Sequence, residues 1–417
     1  MSHPLEQQPT VAVSDIDVSD PAIYQHDTWG PLFARLRQED PVHWTENEAF
    51  GGFWSVTRFE DIVAVDKNHQ DFSSEPAITI GDYGDDLPVR QFIAMDPPLH
   101  DIQRRAVQGV VAPRNLADLE SLIRQRVIEI LEGLPIGQPF NWVNRVSVNL
   151  TTQMLATIFD FPFEQRDKLP YWSDMATSLP EIAGGDADND ERTQALMECL
   201  QTFTELWHQR KHNPPGTMDL ISMMATNPDT AGMVDDPLEY LGNILLLIVG
   251  GNDTTRNSIT GGVVALNQYP QEFAKLKANH NLVESLVPEI IRWQTPLMHM
   301  RRIATRDVEL GGKTIRKGDK VVMWYVSGNR DASAIDRPDQ FIVDRDNPRF
   351  HLSFGFGIHR CMGNRLGEMQ LKILWQEILN RFSHVEMISE PTRVQSNFVR
   401  GYTDLQVVLH ASKTKDC

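Results

Sequence analysis

From Asp236-Pro237 onward the sequence keeps a helical pattern without a breaker until Tyr269-Pro270. About 32 residues rising ~1.5 Å each make a helix of roughly 48 Å, long enough to cross a whole domain. A chain with such an element in its middle has to pack its other helices around it. At the centre of the pattern stand Gly250-Gly251-Asn252-Asp253-Thr254-Thr255. Two mid-helix glycines cost on the order of 1 kcal/mol each relative to alanine, so a compensating gain is expected. The simplest gain is space, because a helix without side chains at that level lets a flat ligand approach. Asp253 and Thr254 then put an acid and an alcohol beside the space. Thr254 could equally bond back onto the preceding helical turn.

The second constraint is Phe354-Gly-Phe-Gly-Ile-His-Arg-Cys361-Met-Gly363. Gly355, Gly357 and Gly363 are expected to take tight, left-handed turns. Leu366, Met369 and Ile373, continued by Leu374, Ile378 and Phe382, mark one apolar helical face behind them. Cys361 would thus sit at a helix N-terminus between Arg360 and Arg365, an environment expected to lower its pKa and favour the metal-binding thiolate. By type alone a lone cysteine reads as a small buried hydrophobe. The pattern Phe-x-x-Gly-x-His-x-Cys-x-Gly, however, resembles the heme-binding loop of the cytochrome P-450 family of heme-thiolate monooxygenases. The resemblance implies heme b (iron protoporphyrin IX), with Cys361 as the metal ligand and Gly355 close to the cofactor. It also implies Phe354 shielding the thiolate and His359 reaching a propionate. A thiolate axial ligand pushes electron density onto iron and favours O–O cleavage. That cleavage needs protons delivered without flooding the site with water. Asp253 and Thr254 match the family's oxygen-activating motif and are the expected catalytic pair, with Gly250 and Gly251 leaving room for cofactor and O2.

Further motifs follow in the family's order. Met95-Asp-Pro-Pro-Leu-His100 opens a helix on which His100 and Arg104 share a face at i, i+4. Such a face is ordinarily solvated, but the family's Asp-Pro-Pro-x-His-x-x-x-Arg pattern implies propionate binding. Glu289-Ile-Ile-Arg292 would be worth little as a surface pair; by resemblance Glu289 and Arg292 brace the core near the heme loop, and Arg302 binds a propionate. The turn at Gln294–Met300 is apolar and offers Leu297 and Met298 to the substrate. Leu246, Val249 and Gly250 join them from the long helix. Phe398 and Val399 could project from the Asn397–Gly401 turn or be ordinary strand residues.

The resemblance covers about residues 30–410 and implies a mainly α, cytochrome P-450 fold: a large helical part with the long central helix, plus a smaller β-rich part. Residues 1–20 are expected to be a disordered N-terminal segment and 21–412 a single domain. His43–Glu46 and Phe53–Val56 read as a hairpin about Gly51-Gly52, and Thr57-x-x-Glu60 as a capping box opening a helix through about Asn68. Ser73–Arg90 is a long loop expected to form a pocket wall. From Asn115 to about Lys211 the pattern is helical with one break at Pro180–Asp190, and Ser173–Ile182 offers lid contacts or plain helix packing. The turns at Leu310–Lys313 and Arg316–Asp319 punctuate short strands of a small sheet.

Hydrophobic content of 41% and charged content of 23% across 417 residues are those of a globular protein. A net charge of -18 argues against nucleic acid as a partner. The three cysteines, Cys199, Cys361 and Cys417, imply no disulfide framework, and a reducing cytoplasm fits. No signal peptide is visible, and the Ile244–Val249 aliphatic run is far below the roughly 20 residues of a membrane span, so no transmembrane anchor is expected. A monomer is expected.

No flavin or dinucleotide module is visible, so electrons are expected from a ferredoxin and ferredoxin reductase. A basic patch of Arg104, Arg105, Arg114, Arg360, Arg365 and Lys372 near Cys361 would dock the ferredoxin. The stretches Leu247–Arg256, Met298–Ala304 and Phe354–Gly363 resemble the bacterial branch that hydroxylates terminal carbons of medium-chain alkanes, alcohols or fatty acids. An apolar lining would equally suit a terpene or a steroid side chain. A non-catalytic heme sensor would need no proton relay. A zinc site on Cys361, His359 and His351 lacks a fourth ligand.

Overall fold

The central pattern forms one helix, Pro237–Gln268, in the computed structural model, which describes residues 11–82, 88–177, 189–212 and 218–412. The Asp236 carboxylate caps it by accepting from the Glu239 amide at 3.2 Å, and Pro237 suits a first helical position. Its first half (Tyr240, Ile244, Ile248) packs with Phe159, Trp172 and Phe203. The second half (Ile259, Val263) packs with Leu150, Ile290, Trp375 and Ile378. Gly250 and Gly251 fall between these two apolar clusters, where the cores are interrupted.

In chain order, β1 (Val42–Thr45) and β2 (Phe53–Val56) form the expected hairpin, followed by α1 (Phe59–Lys67) and β3 (Phe72–Ser73). Then come α2 (Leu99–Val107), α3 (Pro113–Glu132), β4 (Pro139–Asn141), α4 (Asn149–Phe159), α5 (Lys168–Thr177) and α6 (Asn189–His212). The long helix is α7, and α8 (Val283–Gln294), β5 (His299–Ala304), β6 (Lys320–Trp324), α9 (Asn364–Arg381), β7 (Phe382–Met387) and β8 (Gln406–Ala411) complete the frame. One sheet runs β1-β2-β6-β5-β3, with β2 and β6 parallel and the other pairs antiparallel. A second is β4-β8-β7. The Val308–Leu310 and Lys313–Ile315 hairpin turns at Gly311-Gly312, as expected. The fold is mainly α with a smaller β part.

Three local expectations change. Of the segment up to residue 20, expected to be disordered, residues 1–10 lie outside the described residues, while Ile16 and Val18 are buried with Phe33, Phe53 and Trp324. Asn397 Nδ2 also donates to Ser19 O at 2.7 Å. Apolar side chains spaced two apart in a polar segment were the signal. The capping box at Thr57 does not form. The Thr57 hydroxyl donates to Pro41 O, and the first amide of α1, Phe59 N, is capped by Asp331 Oδ2 at 2.9 Å. A carboxylate 272 residues away replaced the local cap. Gly363 has φ -84°, so it needs no left-handed freedom, whereas Gly355 (φ +63°) and Gly357 (φ +67°) do. The break at Pro180–Asp190, the far end of the Ser173–Ile182 stretch, part of the Ser73–Arg90 loop and Cys417 lie wholly or mainly outside the described residues.

Candidate active site

The loop before α9 is folded against the end of α1. A Cβ on Gly357 would stand 2.5 Å from Asp66 O and 3.1 Å from Lys67 Cα, so only glycine permits the approach. Cys361 N donates to Phe354 O at 2.8 Å and closes the loop. Cys361 lines a large apolar cavity and is exposed to it, set deep among the surrounding protein. That burial pushes its pKa up, against the pull of the Gly363 and Asn364 amides and the Arg104 and Arg360 guanidiniums. The expected lowering is present but outweighed. Coordination to a metal removes the proton outright.

Around the cavity's edge the polar groups are incompletely partnered. His359 Nε2 shares a hydrogen bond with Ser74 Oγ at 2.9 Å, while its Nδ1 is buried without a partner among the described residues. Burial, reinforced by Arg302 and His100, pushes its pKa down to about 2, so the ring is neutral. The His100 ring lies 4.2 Å from it; its Nδ1 meets Asp101 at 2.9 Å, and its Nε2 is likewise unpartnered among the described residues. Burial lowers the His100 pKa. Arg104 lines the cavity and donates to Arg360 O. Arg302 donates to Asp66 Oδ1 at 2.9 Å and to Arg301 O at 2.8 Å.

On the opposite chain segment α7 supplies Gly250, Gly251 and Thr254 to the same cavity. Among the described residues no heavy atom lies within 4 Å of where a Cβ would stand on Gly250, whereas one on Gly251 would meet Leu155 Cδ2 at 2.7 Å. Gly250 therefore opens the cavity and Gly251 lets α4 approach. The Thr254 hydroxyl donates to Gly250 O at 2.8 Å, the back-bond considered above. Its oxygen keeps lone pairs for a donor in the cavity.

Asp253 is fully buried behind this wall and does not line the cavity. Its Oδ1 accepts from Arg256 Nη2 at 2.8 Å and from Asn252 Nδ2 at 3.0 Å. Arg256 also pairs with Asp174 of α5, whose side chain is half exposed. Burial, opposed by Arg256 and aided by Asp174, raises the Asp253 pKa to about 6.

Phe354, Gly355, Leu246, Val249, Leu297 and Phe398 line the cavity, as do Ala176 and Thr177 of α5. Met298 and Val399 do not. Met298, just before β5, packs instead with Phe33, Phe53 and Trp324. Val399 bridges to Leu297 and packs with Ile78 and Ala94. Glu289 and Arg292 lie elsewhere, at full burial. Glu289 takes both Arg292 Nε and Nη2 at 2.8 Å, Arg345 Nε at 2.8 Å and the Ile342 amide at 2.9 Å. Of the expected basic patch, Arg105, Arg114, Arg360 and Arg365 are exposed. Arg104 turns inward and Lys372 pairs with Glu284.

Sequence reasoning missed Asp66 and Tyr325, both buried at the cavity's edge, as well as Ser74, Asp174 and Arg256. An aspartate closing the apolar run Ile62–Val65 was a readable signal for Asp66. Arg256 stands three residues after Asp253, a readable i, i+3 spacing, while Ser74, Asp174 and Tyr325 depend on contacts between distant segments.

A thiol facing an apolar cavity, a helix wall without a side chain at Gly250, and two imidazoles that each keep one ring nitrogen unpartnered among the described residues, beside two guanidiniums, fit a flat metal-bearing group with anionic arms. The fold and site are those of a heme-thiolate protein. The chain belongs to the cytochrome P450 family, whose profile matches residues 112–409. It is similar to linalool 8-monooxygenase of Pseudomonas putida, 34% identical over 94% of this chain and 98% of that protein. A methyl-branched lipid omega-hydroxylase of Mycobacterium tuberculosis is 30% identical, covering 96% of each chain. Among solved structures, cytochrome P450-153 from Novosphingobium aromaticivorans matches with a TM-score of 0.88 and 41% identity, over 96% of this chain and 100% of that one. The protein is a cytochrome P450 monooxygenase, and its cofactor is heme b. Monooxygenation requires O2 and an electron donor. Among the described residues no helix is long and apolar enough to cross a membrane, and no three His, Cys, Asp or Glu side chains gather as a metal site.

Proposed function

We propose that this chain hydroxylates the terminal (omega) carbon of medium-chain alkanes, alcohols or fatty acids, with electrons from a ferredoxin and its reductase. The observation that carries this reading is the cavity over Cys361, where Leu246, Val249, Leu297 and Phe398 offer hydrocarbon contacts. The likeness to a lipid omega-hydroxylase supports attack at a chain end. The likenesses to linalool 8-monooxygenase and to a steroid C26-monooxygenase of Mycolicibacterium smegmatis support a second reading, oxidation of a terpene or steroid side chain.

Cys361 would hold the iron, and His100, Arg104, Arg302 and His359 the two carboxylates. Heme b, when bound, supplies the thiolate-ligated iron at which O2 is activated. Thr254, its own proton committed to Gly250 O, accepts a hydrogen bond from a water in the cavity. Asp253 carries protons behind the wall, with Arg256 and Asp174 linking it to the surface. A heme sensor would have no use for a buried acid poised near neutrality. Arg105, Arg114, Arg360 and Arg365 offer a positive surface near Cys361 to an acidic ferredoxin. In this reading residues 21–412 act as one domain of a cytoplasmic monomer.

The test is a spin-state titration with octane, dodecanoic acid, linalool and a steroid. Turnover with ferredoxin, reductase and NADH at rising salt follows. The expected result is a high-spin shift with chain compounds, omega products, and turnover that falls as salt screens the docking charges. Shifts with linalool or the steroid alone would establish the second reading. Bound heme that never turns over would leave the sensor.

A further inference from the structure

We infer that Asp66 is a positioning residue for the cofactor: it braces the Cys361 loop and keeps a negative charge at the cofactor's carboxylate edge, which holds the heme's reduction potential down. The inference rests on heme binding in the cavity and not on the identity of the substrate. Asp66 is buried on α1 and lines the same cavity as Cys361, Arg302 and His359. Its Oδ1 takes Arg302 Nη2 at 2.9 Å. Oδ2 takes two further donors, the Tyr325 hydroxyl at 2.9 Å and the Phe356 amide at 2.7 Å. One carboxylate thus ties α1 to β5, to the turn after β6 and to the cysteine-bearing loop. A Cβ on Gly355 would stand 3.2 Å from Asp66 Oδ2, so the loop closes on this side chain with little room to spare.

The electrostatics follow from the sign of the charges. A site that receives two anionic carboxylates would by itself favour cations, yet here the most buried guanidinium at the edge, Arg302, is already paired. Asp66 cancels its field, and an electron arriving in the cavity meets a net charge lower by one than Arg302 alone would give. In a site shielded from water such a charge acts with little screening. Replacing Asp66 by a neutral isostere removes the negative charge and leaves Arg302 unmatched, and both changes favour the reduced heme. Removing the Tyr325 hydroxyl does the reverse. The carboxylate loses a donor that spreads its charge, so its field at the cofactor grows.

The test is spectroelectrochemical titration of the purified heme protein without substrate, with the carbon-monoxide band checked first for thiolate ligation. Asp66→Asn is expected to shift the one-electron equilibrium toward the reduced form by about tenfold or more, equivalent to at least ~59 mV positive. Tyr325→Phe is expected to move the potential the other way by a smaller amount, and Asp66→Glu to return it toward wild type. Two potentials unchanged, or moved in the same direction, would overturn the inference, since a bracing role alone predicts no opposed pair. Should Asp66→Asn lose thiolate ligation, the sign of the Tyr325→Phe shift decides. A negative shift upholds the charge effect, and a potential that is unchanged or raised refutes it.

Discussion

Glu289 and Asp253 are both fully buried carboxylates on helices, and each is paired to an arginine three residues on. Their protonation tendencies are nonetheless opposite. Burial works against the charge of Glu289, but the guanidiniums of Arg292 and Arg345 hold its carboxyl below the usual range. Burial of Asp253 wins over a single arginine that is shared with Asp174, and the pKa rises to about 6. The Arg-three-on spacing is common to both. What differs is how many donors the surrounding fold brings to the carboxylate. Five donors, including the Ile342 amide, make Glu289 a strut between α8 and the chain around Gln340. Fewer donors and a negative neighbour leave Asp253 able to exchange a proton.

The linkage to stability therefore has opposite signs. The contribution of Glu289 is complete above the ordinary carboxyl range and is lost as pH falls through its lowered pKa. Asp253 costs stability as pH rises from the ordinary carboxyl range to about 6, because the unfolded chain releases that proton first. Glu289→Gln should show the largest effect of any change in either cluster. It leaves two buried guanidiniums short of their counter-charge, a loss of about 3–5 kcal/mol. The expected outcome is a large drop in melting temperature and in the yield of protein with a thiolate-type carbon-monoxide band. A variant with wild-type stability would mean that the backbone carbonyls of Asn329, Pro338 and Gln340 suffice for Arg292.

How far the sequence discloses each cluster follows the same division. Cys361, Gly250, Thr254 and the Glu289-Arg292 pair belong to local patterns on helices or tight turns, and those patterns carried the family resemblance from which their roles were expected. The donors that set Glu289 apart come from Arg345 and Ile342, more than 50 residues on. The acid that modulates Asp253 comes from α5, 79 residues before it. Leu297 and Met298 were indistinguishable by composition, and only their long-range partners, Val399 for one and Phe33, Phe53 and Trp324 for the other, set one in the cavity and the other outside it. The Asp331 cap on α1 was invisible for the same reason: long-range partners leave no periodic trace.

A smaller effect, but one confined to catalysis, is expected at Asp253. Asp253→Asn keeps the size and the contact with Arg256 but cannot carry a proton. Turnover should fall by about 100-fold, with the carbon-monoxide band and the substrate-induced spin shift intact. In the wild type the protonated fraction of Asp253 declines as pH rises through about 6, so turnover should decline with it, and that limb should be missing from the variant. Loss of the band or of substrate binding would instead make Asp253 a strut like Glu289.

The smallest effect, and the sharpest on the cause of the difference, is expected at Asp174. Its charge raises the Asp253 pKa directly and also draws Arg256 away. In Asp174→Asn both influences vanish in the same direction: the repulsion is gone and Arg256 serves Asp253 alone. The pH limb should move to lower pH. Asp174 is half exposed, and such pairs are worth roughly 0–1 kcal/mol, so the displacement should be under about one pKa unit. At neutral pH Asp253 is then more fully ionised, and turnover should fall by less than tenfold. A limb moved to higher pH would show that Asp174 holds Arg256 in place for Asp253 more than it repels the carboxylate. A loss as deep as that of Asp253→Asn would make Asp174 itself a proton carrier.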